Sequence, residues 1–255
     1  VNLETVKGLV IQERKTGEND KVISVMTEDF GTIDIVAKGA NKLTAKNHSA
    51  AQLLVYAVFC YDARKSGNYL NSSEVIDDFY DLRLDIRKFA LACYICEVTK
   101  FAIMTNRRQQ ENNNILRLIL NCFYLLQKDK RSCEFIKSVF ELRFSTDIGF
   151  MPQLIGCLTC FTYSAPKMYF LVDLACVYCS EHFIHNMHLD DYYNVPINPD
   201  ELAALQFICL SDFENIFNFR LSVRSQEVIS EISEKYILTR LGRSFVSLDY
   251  YYSVS

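Results

Sequence analysis

The sequence predicts an α+β protein of several modules: a small five-stranded β-barrel, then a helical body carrying an irregular, cysteine-bearing insert. Three observations predict it. Five of the eight glycines fall at 8, 17, 31, 39 and 67, so turn signals crowd the start of the chain. Residues 68–148 and 200–241 contain neither glycine nor proline, which suits long helices. All four prolines, Pro152, Pro166, Pro196 and Pro199, lie between those stretches. The expected bounds are 1–80 for the barrel, 81–150 and 197–255 for two parts of a helical domain, and 151–196 for the insert.

Within the first module, Val6–Arg14 reads as a strand, and Gly17-Glu-Asn-Asp20 as a turn. In Val22–Thr27 the residues Val22, Ser24 and Met26 alternate with Ile23, Val25 and Thr27. Asp29-Phe-Gly31 turns again, and Ile33–Ala37 makes a third strand. Leu53–Tyr61 and Tyr69–Ile76 flank Ser66-Gly67-Asn68 as a hairpin. Five short strands in under about eighty residues make the OB barrel the economical fold.

Helical spacing follows. Leu82, Ile86, Phe89, Cys93 and Cys96 line one stripe, and Ile115, Leu118, Ile119, Cys122, Phe123 and Leu126 a second. Ile136, Val139, Phe140 and Phe144 form a third, stopped by Gly149 with Pro152 beyond. Asn198-Pro-Asp-Glu201 is a helix start with a cap, a proline at the first position and an acid at the third. A last stripe runs through Val228, Ile232, Tyr236 and Leu241 to Gly242. The helices before and after the insert are expected to pack on each other.

Composition excludes several classes. Half the chain is hydrophobic and 23% is charged, so disorder throughout is ruled out. The longest apolar run, Leu53–Tyr61, falls far short of the roughly 20 residues a membrane helix needs. The first thirty residues offer no signal-peptide core, so a cytoplasmic protein is expected. The net charge of −4 means that any nucleic-acid contact must come from a local patch.

Ten cysteines point to metal rather than disulfides in a chain of this kind. Cys157-Leu-Thr-Cys160 and Cys176-Val-Tyr-Cys179 stand fifteen residues apart. Two such pairs match a structural zinc ion, Zn2+, held by Cys157, Cys160, Cys176 and Cys179, each sulfur at about 2.3 Å. His182, His185 and His188 follow closely and are chemically able to replace a thiolate, but with four cysteines already closing the shell they read as ordinary polar residues beyond the knuckle. Four thiolates leave no open position, so the metal braces rather than catalyses. The insert has one basic residue, Lys167, against Asp173, Glu181, Asp190 and Asp191, a poor balance for binding phosphate. Cys93 and Cys96 also read CxxC but sit mid-helix, where buried thiols are ordinary packing.

Positive charge concentrates between Ala37 and Lys65, where Lys38, Lys42, Lys46, Arg64 and Lys65 meet a single acid, Asp62. Arg83 and Arg87 extend it onto the first helix. In an OB barrel, loops of this kind line a nucleic-acid groove. Tyr56, Phe59, Tyr61 and Tyr69 serve either as base-stacking faces or as barrel core, and both readings stand on the sequence. The bland reading of the charges is a solvated surface. Taken with the barrel, they favour salt-sensitive, sequence-independent binding to a phosphodiester backbone. No phosphate loop, GxSxG elbow or HExxH helix is present, so no enzyme and no small-molecule substrate is expected.

Gly17-Glu18, Asp20-Lys21-Val22, Thr27–Gly31 and Ala37-Lys38-Gly39-Ala40 occur in an order that resembles the RecO family of bacterial recombination mediators. Phe140-Glu-Leu-Arg143 leading to Gly149-Phe150 and Pro152 is similar to that family's entry into its zinc insert, and Arg240–Leu248 to its closing helix. The resemblance implies a bacterial, nucleoid-associated protein that binds single- and double-stranded DNA and anneals strands covered by single-strand-binding protein. It also implies partnership with RecR, so that RecA is served indirectly. Capture of the acidic tail of single-strand-binding protein would need an apolar pocket beside a cation, with Arg240 and Arg243 as candidates. Helix-end arginines that complement the dipole are the competing reading. The alternative function is a zinc-stapled interaction scaffold with incidental DNA contact.

Overall fold

The computed structural model describes residues 2–42, 44–105, 112–186 and 188–254. Five strands, β1 (Leu3–Thr16), β2 (Asp20–Thr27), β3 (Gly31–Ala37), β4 (Tyr56–Arg64) and β5 (Gly67–Asp77), close into a barrel in the order β1-β2-β3-β5-β4. The closing pair, β3 with β5, is the only parallel one in the barrel, and it matches Ile35 to Asn68 and Val36 to Tyr69. This is the OB-type barrel expected from the strand spacing. Alternation places Val6, Val10, Ile23, Val25, Ile35, Ala57 and Phe59 in its interior. At Gly8 the strands β1 and β2 run so close that an added Cβ would sit 2.5 Å from Val25 Cγ1, which explains a glycine inside a strand. The expected strand at Leu53 begins only at Tyr56. Leu54, at φ 68°, instead leads the chain past a register shift in β1 and donates its N–H to the Val10 carbonyl.

Contacts divide the chain into two compact units, residues 1–130 with 245–255 and residues 131–244. The cut runs through the expected helical domain. In the first unit the barrel is joined by α1 (Ile86–Thr105), α2 (Asn112–Gln127) and α7 (Val246–Ser253). Tyr94 of α1 meets Phe245 edge-on at 6.0 Å, and Glu97 accepts the Ser247 N–H at 3.1 Å.

The second unit holds α3 (Cys133–Asp147), α5 (Pro199–Leu210) and α6 (Val223–Leu241). Asn198 and Glu201 form the reciprocal cap that their spacing predicts, Glu201 N–H to Asn198 Oδ1 at 3.0 Å and Asn198 N–H to Glu201 Oε2 at 2.8 Å. α3 and α6 pack across the insert, as expected. Buried Lys137 bonds Glu141 at 2.9 Å and Glu234 at 2.7 Å, while the Ser233 hydroxyl donates to Glu141 at 2.7 Å. The insert is not irregular. It is a four-stranded sheet of β6 (Gln153–Cys157), β7 (Met168–Leu171), β8 (Cys176–Cys179) and β9 (Asn194–Ile197) in the order β6-β8-β7-β9, with a short α4 (Ser180–Ile184) after β8. Strands of four or five residues, one holding Pro196, are too short to announce themselves by alternation. Among the described residues no helix is long and apolar enough to cross a membrane.

Candidate nucleic-acid interface and metal centre

The barrel's basic end is built from three turns. Lys38 leaves β3 on a turn whose Gly39 N–H donates to Asp20 Oδ1 at 2.7 Å, tying it to the β1–β2 corner. The next segment is held down by His48, whose ring bonds the Ala40 carbonyl at 2.8 Å and Gln52 at 3.1 Å. Pinned from beneath, this segment leaves Lys42 and Lys46 exposed. Arg64 and Lys65 end β4 on the hairpin turn into β5, and Tyr69 stands two residues into β5.

Lys38 and Arg64 line a cleft of about 290 Å3 with Leu3, Asp62, Tyr69, Leu70 and Asn71. The Lys38 ammonium lies 5.2 Å and the Arg64 guanidinium 5.0 Å from the centre of the Tyr69 ring, so two cations flank one aromatic. Asp62 accepts from Arg64 Nε at 2.5 Å and from the Asn2 N–H at 3.2 Å. The Arg64 contact holds the Asp62 carboxyl below the usual carboxylate range. Asp62 thus offsets part of Arg64's charge, whereas Lys38 has no ion-pair partner among the described residues. Lys42, Lys46 and Lys65 make no side-chain hydrogen bond or ion pair among the described residues.

The other predicted basic residues lie elsewhere. Arg83 donates to the Leu53 carbonyl, and Arg87 sits 5.9 Å over the Tyr251 ring. Of the four aromatics, Phe59 and Tyr61 belong to the core, whereas Tyr56 and Tyr69 are half-buried. Tyr61 donates to Glu4 at 2.8 Å, and burial together with that carboxylate pushes its phenol up to about 12.

The second cluster lies in the insert. Cys157 ends β6 and enters a turn that brings the Phe161 N–H to the Cys157 carbonyl at 2.9 Å. Phe161 holds φ 60°, a left-handed conformation in which glycine is more at ease. The Cys160 sulfur approaches the Thr162 hydroxyl at 3.0 Å and the Cys179 sulfur at 3.8 Å, and Cys179 approaches His182 Nδ1 at 3.2 Å. The ligand atoms of Cys157, Cys160, Cys179 and His182 all lie within 4.8 Å of one another. Burial opposes ionisation of Cys157, yet the N–H groups of Cys160, Cys179 and Thr159 outweigh it and bring the thiol down to about 7. The Thr162 hydroxyl and N–H lower Cys160 as well. Burial, reinforced by Cys157, pushes Cys176 up to about 11.

Of the four expected cysteines, Cys157, Cys160 and Cys179 gather with His182, while Cys176 is not part of that group. Cys176–Cys179 is a strand, not a turn. Residues three apart on a strand face opposite sides of the sheet. Cys157 stands opposite Val177 across an irregular stretch of the pairing, and it lies near enough to Cys176 to add to that thiol's upward shift. The signal for His182 was its spacing, three residues past Cys179 and one helical turn on. His185 instead bonds the Glu181 carbonyl at 2.6 Å.

Arg240 is engaged within its own unit. Its Nη2 donates to the Val172 and Asp173 carbonyls at 3.1 and 2.6 Å, and its guanidinium lies 5.2 Å over Tyr236. Arg243 Nε donates to the Ser244 carbonyl at 3.1 Å. A separate cleft of about 310 Å3 sets Phe207, Phe219 and Leu221 beside exposed Arg220, with Asp200 also on its wall.

An OB-type barrel followed by helices and a thiol-rich sheet defines a class of multi-domain α+β proteins. Two family profiles cover nearly the whole chain, "Recombination protein O N terminal" over residues 2–79 and "Recombination protein O C terminal" over residues 83–249. The chain belongs to the recombination protein O family. Relatives named "DNA repair protein RecO" include that of Acetivibrio thermocellus, 30% identical over 98% of this chain and 96% of the relative. That of Alkaliphilus metalliredigens is 26% identical over 95% of this chain and 96% of the relative.

Proposed function

We propose that the protein acts in DNA repair as a non-enzymatic recombination mediator. It binds single- and double-stranded DNA, anneals complementary strands covered by single-strand-binding protein, and assists RecA loading together with RecR. The observation that carries this reading is the Tyr69 ring beside Lys38 and Arg64, on a barrel that also exposes Lys42 and Lys46. Such a surface attracts successive phosphates and offers one aromatic to a base, with no donor pattern that selects a sequence. Annealing then needs no catalytic group, because neutralised phosphates lower the repulsion between strands. Arg83 and Arg87, turned to intramolecular partners, contribute less than the barrel lysines.

The thiol cluster holds one structural Zn2+ in this reading. Tetrahedral sulfurs at about 2.3 Å from zinc stand ~3.8 Å apart, and Cys160 and Cys179 are separated by 3.8 Å. Soft thiolates with an imidazole suit zinc, and four protein ligands leave no position for a reactive water. For the acidic tail of single-strand-binding protein, the Phe207–Phe219 cleft beside Arg220 supports docking better than Arg240, whose donors are already engaged.

A strand-annealing assay on the purified protein, with and without single-strand-binding protein and across a salt series, tests the function. Annealing that weakens steeply with salt is expected. Binding indifferent to salt, or none at low salt, rejects the reading in favour of a protein-interaction scaffold.

A further inference from the structure

We propose that Asp62, the one acid of the cleft, is a positioning residue for DNA binding: it grips Arg64 by Nε and so presents the rest of that guanidinium, beside the Tyr69 ring, to a phosphate. The proposal rests on the barrel reading above and deepens it.

Strand register supplies the first argument. Between β4 and β5, Asp62 stands directly opposite Tyr69, and Arg64 opposite Gly67. Residues two apart on a strand share a face, so Asp62, Arg64 and Tyr69 project from the same side of the barrel wall. Gly67 has no side chain to steady Arg64, whereas the diagonal from Arg64 to Tyr69 is one that long and aromatic side chains span. The polar group that holds Arg64 is therefore Asp62. That carboxylate is itself fixed, because its Oδ1 accepts the Asn2 N–H at 3.2 Å and its backbone pairs with Leu3 of β1.

Exposure and donor count supply the second. The Asp62 side chain is 10% exposed and that of Arg64 55%, so the acid sits at the base of the pair and the cation at its rim. The bond uses Nε alone, to Oδ2 at 2.5 Å. Among the described residues the two Nη groups make no hydrogen bond, and an arginine's donors form a fork that matches phosphate oxygens. An untethered arginine gives up its rotamer freedom on binding, and one already held gives up less. Asp62 also repels phosphate, but solvent and salt weaken that repulsion across an open cleft. The held fork outweighs it.

Fluorescence anisotropy of the full chain with a labelled single-stranded oligonucleotide separates positioning from charge. Arg64→Lys keeps the charge and replaces the fork by a point charge, so binding about fivefold weaker is expected. Wild-type affinity in that variant overturns the proposal. Asp62→Asn removes a negative charge from the cleft, and charge alone predicts tighter binding. Binding about threefold weaker is expected instead, with no loss from the same substitution in an Arg64→Gln background. Tighter binding by Asp62→Asn, or an equal loss in both backgrounds, overturns the positioning role. Thermal midpoints report whether each variant folds, and Arg64→Lys, at a largely exposed side chain, decides the matter if Asp62→Asn does not. An unaltered protein that fails to bind at low salt removes the barrel reading as well. Salt-sensitive binding that ignores both substitutions removes the role of Asp62 alone.

Discussion

The Lys38 ammonium stands 5.2 Å from the centre of the Tyr69 ring, and Arg64 approaches the same ring at 5.0 Å. Lys38 follows the end of β3 and Arg64 ends β4, and β5, which lies between those strands, carries the ring. Tyr69→Ala removes the aromatic without removing charge. Its expected effect is a loss of about 1 kcal/mol in single-strand binding, with duplex binding less affected. Tyr69→Phe keeps the ring and should keep the affinity. Fluorescence anisotropy on matched single- and double-stranded oligonucleotides checks both.

The lysines act through phosphate neutralisation, so their signature lies in the salt dependence. Lys38→Glu with Lys42→Glu should lower oligonucleotide affinity and flatten the log–log salt slope by roughly 1.4 for single strands. Both side chains are exposed, so zinc content and thermal midpoint should stay unchanged. Unaltered binding would place the DNA site elsewhere on the protein.

The pairing of α3 with α6 depends on a buried charge. Lys137 and Glu141 are almost wholly enclosed, and Glu141 has the Ser233 hydroxyl as a further donor. Lys137→Met strands the Glu141 carboxylate and should destabilise the fold by about 3 kcal/mol or more. Lys137→Met with Glu141→Leu should recover part of that loss, as a urea-melt double-mutant cycle would show.

Arg240 serves the sheet insert. Truncation to Ala withdraws its donor from the Val172 and Asp173 carbonyls and should cost on the order of 2 kcal/mol. Hydrogen exchange should rise first at residues 171–175, where those carbonyls lie. Unchanged exchange and an unchanged urea midpoint would remove the clamp from the account.

Asp34 gives the barrel a pH dependence. Burial opposes its ionisation, yet the Ser24 hydroxyl at 2.5 Å, Lys100 at 3.2 Å and Arg14 at 2.8 Å outweigh it, and its carboxyl lies below 3.8. A carboxylate lowered on folding contributes stability above its unfolded value and loses it as pH falls through the folded one. Lys100→Met should therefore lower stability at neutral pH, and the difference should narrow as pH falls through the lowered value of the folded carboxyl. Thermal melts of both proteins between pH 2 and 7 check this.

Much of the barrel was legible because its strands alternate and are separated by glycine turns at 17, 31 and 67. The start of α5 was equally legible, since Asn198, Pro199 and Glu201 act within one turn of chain. Two features were not. Apolar stripes on α1, α3 and α6 show that each helix has a buried face but not what covers it. The division that sends α7 to the barrel's unit and α6 to the insert's unit is therefore absent from the spacing. The strands β7, β8 and β9 have four residues each, too few for alternation to show.

By itself the sequence determined the OB-type barrel, the helical stripes, the place of the basic turns and the presence of a soft-ligand cluster, all properties of residues near one another in the chain. Only tertiary structure decided that Lys38 and Arg64 share Tyr69 and that Cys179 meets His182. Those outcomes depend on which strand lies beside which and in what register. A shift of one residue exchanges the two faces of a strand, and register is set by long-range pairing rather than by local spacing.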